Sequence, residues 1–170
     1  MNNRHAVVET ELGELTLVAS DGALTGLYFP HHWVRPERAQ LGEEVAVDTD
    51  ALLSEAARQL EQYLAGERTS FDLPIELSGD EFQRQVWALL DEIPFGETTT
   101  YGELAERLGD KSLAQEVGQA VGHNPVSIIV PCHRVVGKNG KLTGYAGGLK
   151  RKQKLLDLEE PEAVRAERLF

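Results

Sequence analysis

The chain has 170 residues, 41% of them hydrophobic, and a formal net charge of −11, enough for one medium domain or two small ones with a sizeable core. No apolar run approaches the roughly 20 residues of a bilayer span, and Met1 to Thr10 lacks the basic-then-apolar pattern of a secretion signal. The single cysteine excludes an internal disulfide and fits a reducing cytoplasm, while the acidity argues at first sight against nucleic acid, whose phosphates call for Lys and Arg.

The first part of the chain predicts strands and then a helix. His5 to Thr10, Leu15 to Ser20 and Leu24 to Phe29 are short and β-prone, with turns at Glu11-Leu12-Gly13-Glu14 and Asp21-Gly22-Ala23, so a small antiparallel meander is expected. His31 to Thr49 is polar and irregular. Asp50 is placed to cap a helix in which Leu53, Ala56, Ala57, Leu60, Tyr63 and Leu64 recur at helical spacing until Gly66 stops it. Phe71 to Leu77, which contains Pro74, reads as a connector or edge strand. A boundary near Ser78 divides the chain into an N-terminal α/β domain (1–77), a second domain (78–160) and a tail (161–170).

The second part is expected to be mainly helical, so the fold class is α+β. Phe82, Val86, Leu89, Leu90 and Ile93 form an amphipathic stripe, with Trp87 on its flank, that ends at Pro94-Phe95-Gly96. Thr100 caps a short helix from Tyr101 to Leu108, Gly109-Asp110-Lys111 turns the chain, and a second helix runs from about Ser112 to Gly122. Two short helices around a Gly-containing turn form the helix-turn-helix pattern of nucleic-acid proteins, a pattern shared with ordinary αα-hairpins. Gly118 inside the second helix costs about 1 kcal/mol against Ala, which suits close backbone approach to a partner or tight packing on a neighbour.

Charge is unevenly distributed. Residues 1–77 carry 5 basic and 14 acidic side chains, and residues 78–160 carry 10 and 12. From Pro131 to Lys154 there are seven basic residues (Arg134, Lys138, Lys141, Lys150, Arg151, Lys152 and Lys154) and no acidic one. Next to Cys132 such a stretch reads as a surface facing an anion.

The chemistry centres on Pro131-Cys132-His133-Arg134, which follows Ile128-Ile129-Val130, a run with the composition of a short buried strand. A cysteine acts as a thiolate, and its pKa near 8.5 must be lowered by a cation, a helix N-terminus or a base. His133 can supply the base, directly or through a water, and Glu159 in the last helix is a candidate to orient the imidazole. The glycine-rich loop Thr143-Gly144-Tyr145-Ala146-Gly147-Gly148 suits either a surface turn or a wall whose main-chain amides meet a flat ligand. No metal is expected: there is no second cysteine, and His31-His32 lacks partners at ligand spacing.

These residues resemble the O6-alkylguanine-DNA alkyltransferases, most specifically from Phe82 to Glu159, where Pro131-Cys132-His133-Arg134-Val135 matches the family signature. The resemblance implies an α+β N-terminal domain beside a helical, DNA-binding domain with a helix-turn-helix. It implies that Cys132 accepts the alkyl group from O6 of guanine in a single, irreversible turnover; whether O4-alkylthymine is accepted stays open. His133 is then the base acting through water and Glu159 its orienter. Asn124 buttresses the turn between recognition helix and active site, and Tyr101 donates to guanine N3 and helps rotate the phosphate. Val135, Tyr145, Ala146 and Gly147 wall the guanine pocket. Ala114, Gln115 and Gly118 of the recognition helix, with Tyr101 and Arg134, are expected to face DNA. The expected partner is double-stranded DNA containing alkylated guanine, bound by a cytoplasmic monomer without cofactor or membrane.

The chain departs from the family pattern at Gln115, where an arginine usually fills the gap left by the flipped base. With Glu116 beside it, Gln115 leads us to expect weaker DNA binding. Two alternatives are a lesion-binding module that repairs nothing and, with less support, a hydrolase using a Cys132–His133 dyad.

Overall fold

The structure, a computed structural model, describes residues 3–30, 38–145 and 147–160. The His31-His32 pair, Ala146 and the tail 161–170 lie outside the described residues. Strands β1 (Asn3–Thr10), β2 (Gly13–Ser20) and β3 (Ala23–Tyr28) form the antiparallel meander expected from the turn residues, in the order β3-β2-β1. A two-residue strand β4 (Glu43–Glu44) adds a parallel edge to β1 from within the segment read as irregular. Its sequence offers no β-forming side chain, and pairing to β1 alone defines it.

Helix α1 (Ala51–Leu64) begins where Asp50 accepts from the Leu53 amide at 3.0 Å. It buries Leu53, Ala56, Leu60 and Tyr63 on the face turned to the sheet. Helix α2 (Glu81–Leu90) opens on a capping box between Asp80 and Gln83. Its Trp87, placed on the flank from sequence, is a core residue that donates Nε1–H to the Ala120 carbonyl at 2.8 Å.

Helix α3 (Tyr101–Arg107) is capped by Thr100, whose side chain accepts from the Glu103 amide. Gly109 ends it with φ +99°, the left-handed conformation that glycine adopts without a Cβ penalty. The Gly109 and Asp110 amides bond back to Glu106 and Ala105, closing the Schellman pattern. A 3-10 turn, Lys111–Leu113, leads into α4 (Ala114–Gly122). Val117 and Ala120 face inward, and Gln115, Glu116 and Gln119 face solvent. Strands β5 (Thr99–Thr100) and β6 (Val135–Val136) pair in parallel, and α5 (Leu149–Glu159) closes the described chain.

A continuous hydrophobic cluster runs through both halves, from Leu15, Leu27 and Phe29 to Val117, Val126 and Leu155. The outer edge of β3 is covered on two sides. Leu24 exchanges main-chain bonds with Pro74 and Glu76 of the connector, and the Leu27 amide donates to Pro125 O at 2.8 Å. Covering removes an unpaired edge and fixes the segment leading to Cys132 against the sheet. Among the described residues no helix is long and apolar enough to cross a membrane, and no three His, Cys, Asp or Glu side chains gather to hold a metal.

Candidate active site

The segment before Cys132 is a series of tight turns, contrary to the strand that Ile128-Ile129-Val130 suggests. Ile128 has φ +72°, and the Ile129 amide donates across it to Ser127 O at 2.8 Å, a γ-turn of the rarer, strained kind. Pro131, at φ −81° and ψ 65°, centres an inverse γ-turn closed by Cys132 N–H to Val130 O at 2.8 Å. Buried Asn124 holds this path: its Nδ2 donates to Val130 O at 2.8 Å and its Oδ1 accepts from the Val126 amide at 3.0 Å. Asn124, expected to buttress the turn before the active site, thus bonds a coil of turns rather than a strand.

Cys132–Arg134 follow as one turn of 3-10 helix, and all three side chains are buried. His133 Nε2 lies 2.8 Å from Glu159 Oε2. A carboxylate can only accept, so the ring proton sits on Nε2 and Nδ1 presents its lone pair. Nδ1 is buried and makes no hydrogen bond among the described residues. Burial lowers the His133 pKa against the pull of Glu159, so the ring is a neutral base at pH 7.

Glu159 is the electrostatic hub. Burial by itself would raise its carboxyl. The bonds from His133 and Arg134, with that from the Tyr63 hydroxyl, bring it to about 2 instead. Arg134 grips Glu159 through Nε at 2.7 Å and an η nitrogen at 2.9 Å, and donates from the other to Ile93 O at 2.6 Å. The expected DNA contact by Arg134 is therefore corrected: its guanidinium is turned inward and fully engaged, because the buried carboxylate needs a counter-charge.

Around the thiol, burial raises the pKa of Cys132, while hydrogen bonding by Asn124 and the charge of Lys152 act to lower it. Lys152, assigned from sequence to a basic surface, is fully buried; it donates to Thr143 O at 3.1 Å, and burial brings its ammonium down to about 8. The phenol of Tyr145 is buried beside Cys132, its ring edge-on to Phe29 with centroids 5.7 Å apart. Val135 is fully buried in β6. Tyr101, half-buried at the start of α3, receives a hydrogen bond from the Thr143 hydroxyl at 3.0 Å.

Gly147 has a packing reason: a Cβ there would stand 2.5 Å from the Phe29 ring. Gly118 has none among the described residues, since a Cβ would only make ordinary contact with Tyr101 at 3.7 Å. Ala114 and Gln115 occupy the first turn of α4, half-buried and exposed respectively. The basic stretch divides: Arg134 and Lys152 are buried, and Arg151 bonds Leu12 O and Gly147 O and covers the Phe29 ring. Lys138, Lys141, Lys150 and Lys154 are exposed. Sequence reasoning missed Tyr63, Thr143 and the burial of Lys152. Tyr63 was legible only as an apolar position in a helical stripe, and nothing local marks its hydroxyl as a partner of a carboxylate 96 residues away.

A buried cysteine next in sequence to an imidazole oriented by Glu159, in the same half as a helix-turn-helix, defines a candidate cysteine-nucleophile protein of the nucleic-acid-binding kind. Residues 3–77 match the family described as 6-O-methylguanine DNA methyltransferase, ribonuclease-like domain, and residues 81–161 its DNA binding domain. The chain is 46% identical to the methylated-DNA–protein-cysteine methyltransferase of Mycolicibacterium paratuberculosis, over 98% of each chain. It is 43% identical to that of Mycobacterium tuberculosis, over 94% of this chain and 93% of the other. The crystal structure of Mycobacterium tuberculosis OGT in complex with DNA superposes with a TM-score of 0.82 at 42% identity, covering 95% of this chain and 97% of that one. A methyltransferase of Methanococcus jannaschii gives 0.65 at 31%, covering 90% and 92%. The chain belongs to the O6-methylguanine-DNA methyltransferase family.

Proposed function

We propose that this protein repairs alkylated DNA directly, moving the alkyl group from O6 of guanine onto Cys132 once per molecule. The observation that carries the reading is a buried thiol next in sequence to His133, whose Nδ1 has no hydrogen bond among the described residues while Nε2 is held by Glu159. In the stack a damaged base cannot reach this thiol, so it must first be extruded, at a cost of a few kcal/mol. Ala114, Gln115 and Gly118 on α4 are the DNA-facing residues in this reading, and the absence of an internal packing need for Gly118 supports it.

His133 Nδ1 takes the thiol proton, through a bridging water, and Sγ attacks the alkyl carbon in line with the C–O6 bond. The S–C bond forms as C–O6 breaks, and the electron pair passes to the guanine. Tyr101 supplies a proton at N3, and Val135, Tyr145 and Gly147 wall the base. The proton taken up by His133 passes through solvent to the Tyr101 phenolate, so overall the thiol proton replaces the alkyl group on guanine. The thioether has no resonance that invites hydrolysis, so the protein acts once. A reducing cytoplasm and a monomeric state suit a chain whose one thiol must stay free.

Intact-mass analysis with excess duplex carrying one O6-methylguanine tests the reading. The expected outcome is a gain of one methyl (about 14 Da) per chain, absent in Cys132→Ser. Binding without mass gain would leave a lesion-recognition module, and catalytic turnover of an ester would indicate a hydrolase.

A further inference from the structure

Thr143 belongs to no part of the mechanism above, yet three contacts fix it. Its carbonyl accepts from the buried ammonium of Lys152 at 3.1 Å, anchoring the main chain of the loop to α5. Its γ-methyl lies against Gly137, where a Cβ would stand only 2.8 Å away. Gly137 has φ −76°, which any residue adopts, so the missing side chain there serves this close approach rather than a special backbone conformation. With the methyl seated, the hydroxyl turns to the Tyr101 oxygen at 3.0 Å.

We infer that Thr143 is the positioning residue for the proton donor: its hydroxyl donates to the Tyr101 oxygen, leaving the phenolic proton free and aimed at the base. The inference rests on the reading of Tyr101 as the donor to guanine N3. With N3 accepting the Tyr101 proton, the phenol oxygen has a lone pair to satisfy, and Thr143 satisfies it. A chain of hydrogen bonds running one way also polarises its members, so the phenol becomes a better acid as guanine departs. Burial raises the Tyr101 pKa, and the Thr143 bond acts against that rise. The contact gains most when negative charge develops on the phenol oxygen, so it should act on the chemical step more than on binding.

Single-turnover kinetics with protein in excess over an O6-methylguanine duplex separate the half-saturating concentration from the limiting rate. Thr143→Val keeps the methyl against Gly137 and removes the hydroxyl. It should leave half-saturation within about twofold and slow the limiting rate about tenfold, one hydrogen bond to a group gaining charge. Thr143→Ser restores the donor and should recover most of that rate. In a Tyr101→Phe background, Thr143→Val should add no further loss. A Thr143→Val protein that transfers at the wild-type rate, or one equally slowed with and without the Tyr101 hydroxyl, overturns the inference and leaves the Tyr101 reading standing. If Tyr101→Phe itself transfers at the wild-type rate, that reading falls and the Thr143 inference falls with it.

Discussion

At Glu159 one buried carboxylate serves a neutral imidazole and a guanidinium, each for a different purpose. Toward His133 it fixes the tautomer; toward Arg134 it neutralises a guanidinium that would otherwise be buried alone. Glu159→Gln should therefore cost about 3–5 kcal/mol, mostly from the uncompensated arginine. Denaturant titration at pH 7 measures it, and a midpoint equal to wild type would refute the pairing. The pH dependence follows from a carboxyl depressed from 4.5 to about 2. Such a group contributes stability that is complete above its unfolded pKa and lost as pH falls through its folded one. Wild type should lose this contribution between about pH 4.5 and 2, with Asp50, held low by its hydrogen bond from Arg4, adding to the acid sensitivity. The Gln variant should titrate less steeply there. Cys132, His133 and Glu159 are read as a nucleophile, a base and an orienter from residue type and the family signature, and the structure brings the last two side chains to 2.8 Å. Arg134 and Lys152 were misplaced because a run of cations says nothing about which way each side chain points.

Among the elements, the meander, α1 and the helix-turn-helix could be read because their signals are local: Asp50 and Thr100 as caps, and glycines where helices must stop. The active-site segment could not. Ile128, Ile129 and Val130 have strand composition, but the Leu27 bond to Pro125 O and the clamp of Asn124 hold them in turns, and both are tertiary contacts. A β-branched residue at φ +72° costs on the order of 1–3 kcal/mol, which the surrounding packing must offset to keep Cys132 in place. On α4 the expectation is sharper. Gln115 and Glu116 are both exposed in its first turn, so α4, if it is the helix that meets DNA, presents an amide and a negative charge where the family resemblance leads one to expect an arginine. Gln115→Arg should tighten binding to an abasic or O6-methylguanine duplex by about tenfold at fixed salt, read by fluorescence anisotropy. Unchanged or weaker binding would mean that Gln115 does not limit affinity.

For the whole molecule, the question is how an acidic chain of net charge −11 approaches a polyanion. Part of the answer is partition: the acidic excess lies mainly in residues 1–77, and the half bearing α3 and α4 is nearly balanced. The structure lowers the usable positive charge further, since Arg134, Arg151 and Lys152 are committed to Glu159, main-chain carbonyls and the Phe29 ring. Of the seven cations around Cys132, Lys138, Lys141, Lys150 and Lys154 remain exposed. Each phosphate neutralised contributes about −0.9 to the slope of log K against log salt, so four contacts give a slope of about −3.6 from this stretch. Acidic surface elsewhere on the chain opposes any addition, and the measured slope on undamaged duplex should be no steeper than about −4. A slope of about −6.3 would mean that the inward cations also reach phosphates and that the Glu159 cluster opens on DNA. A shallow slope instead assigns most of the affinity to shape, to the close approach of α4 at Gly118 and to the extruded base in its pocket. Such a protein would search undamaged DNA with weak hold and be retained mainly where a base already leaves the stack easily.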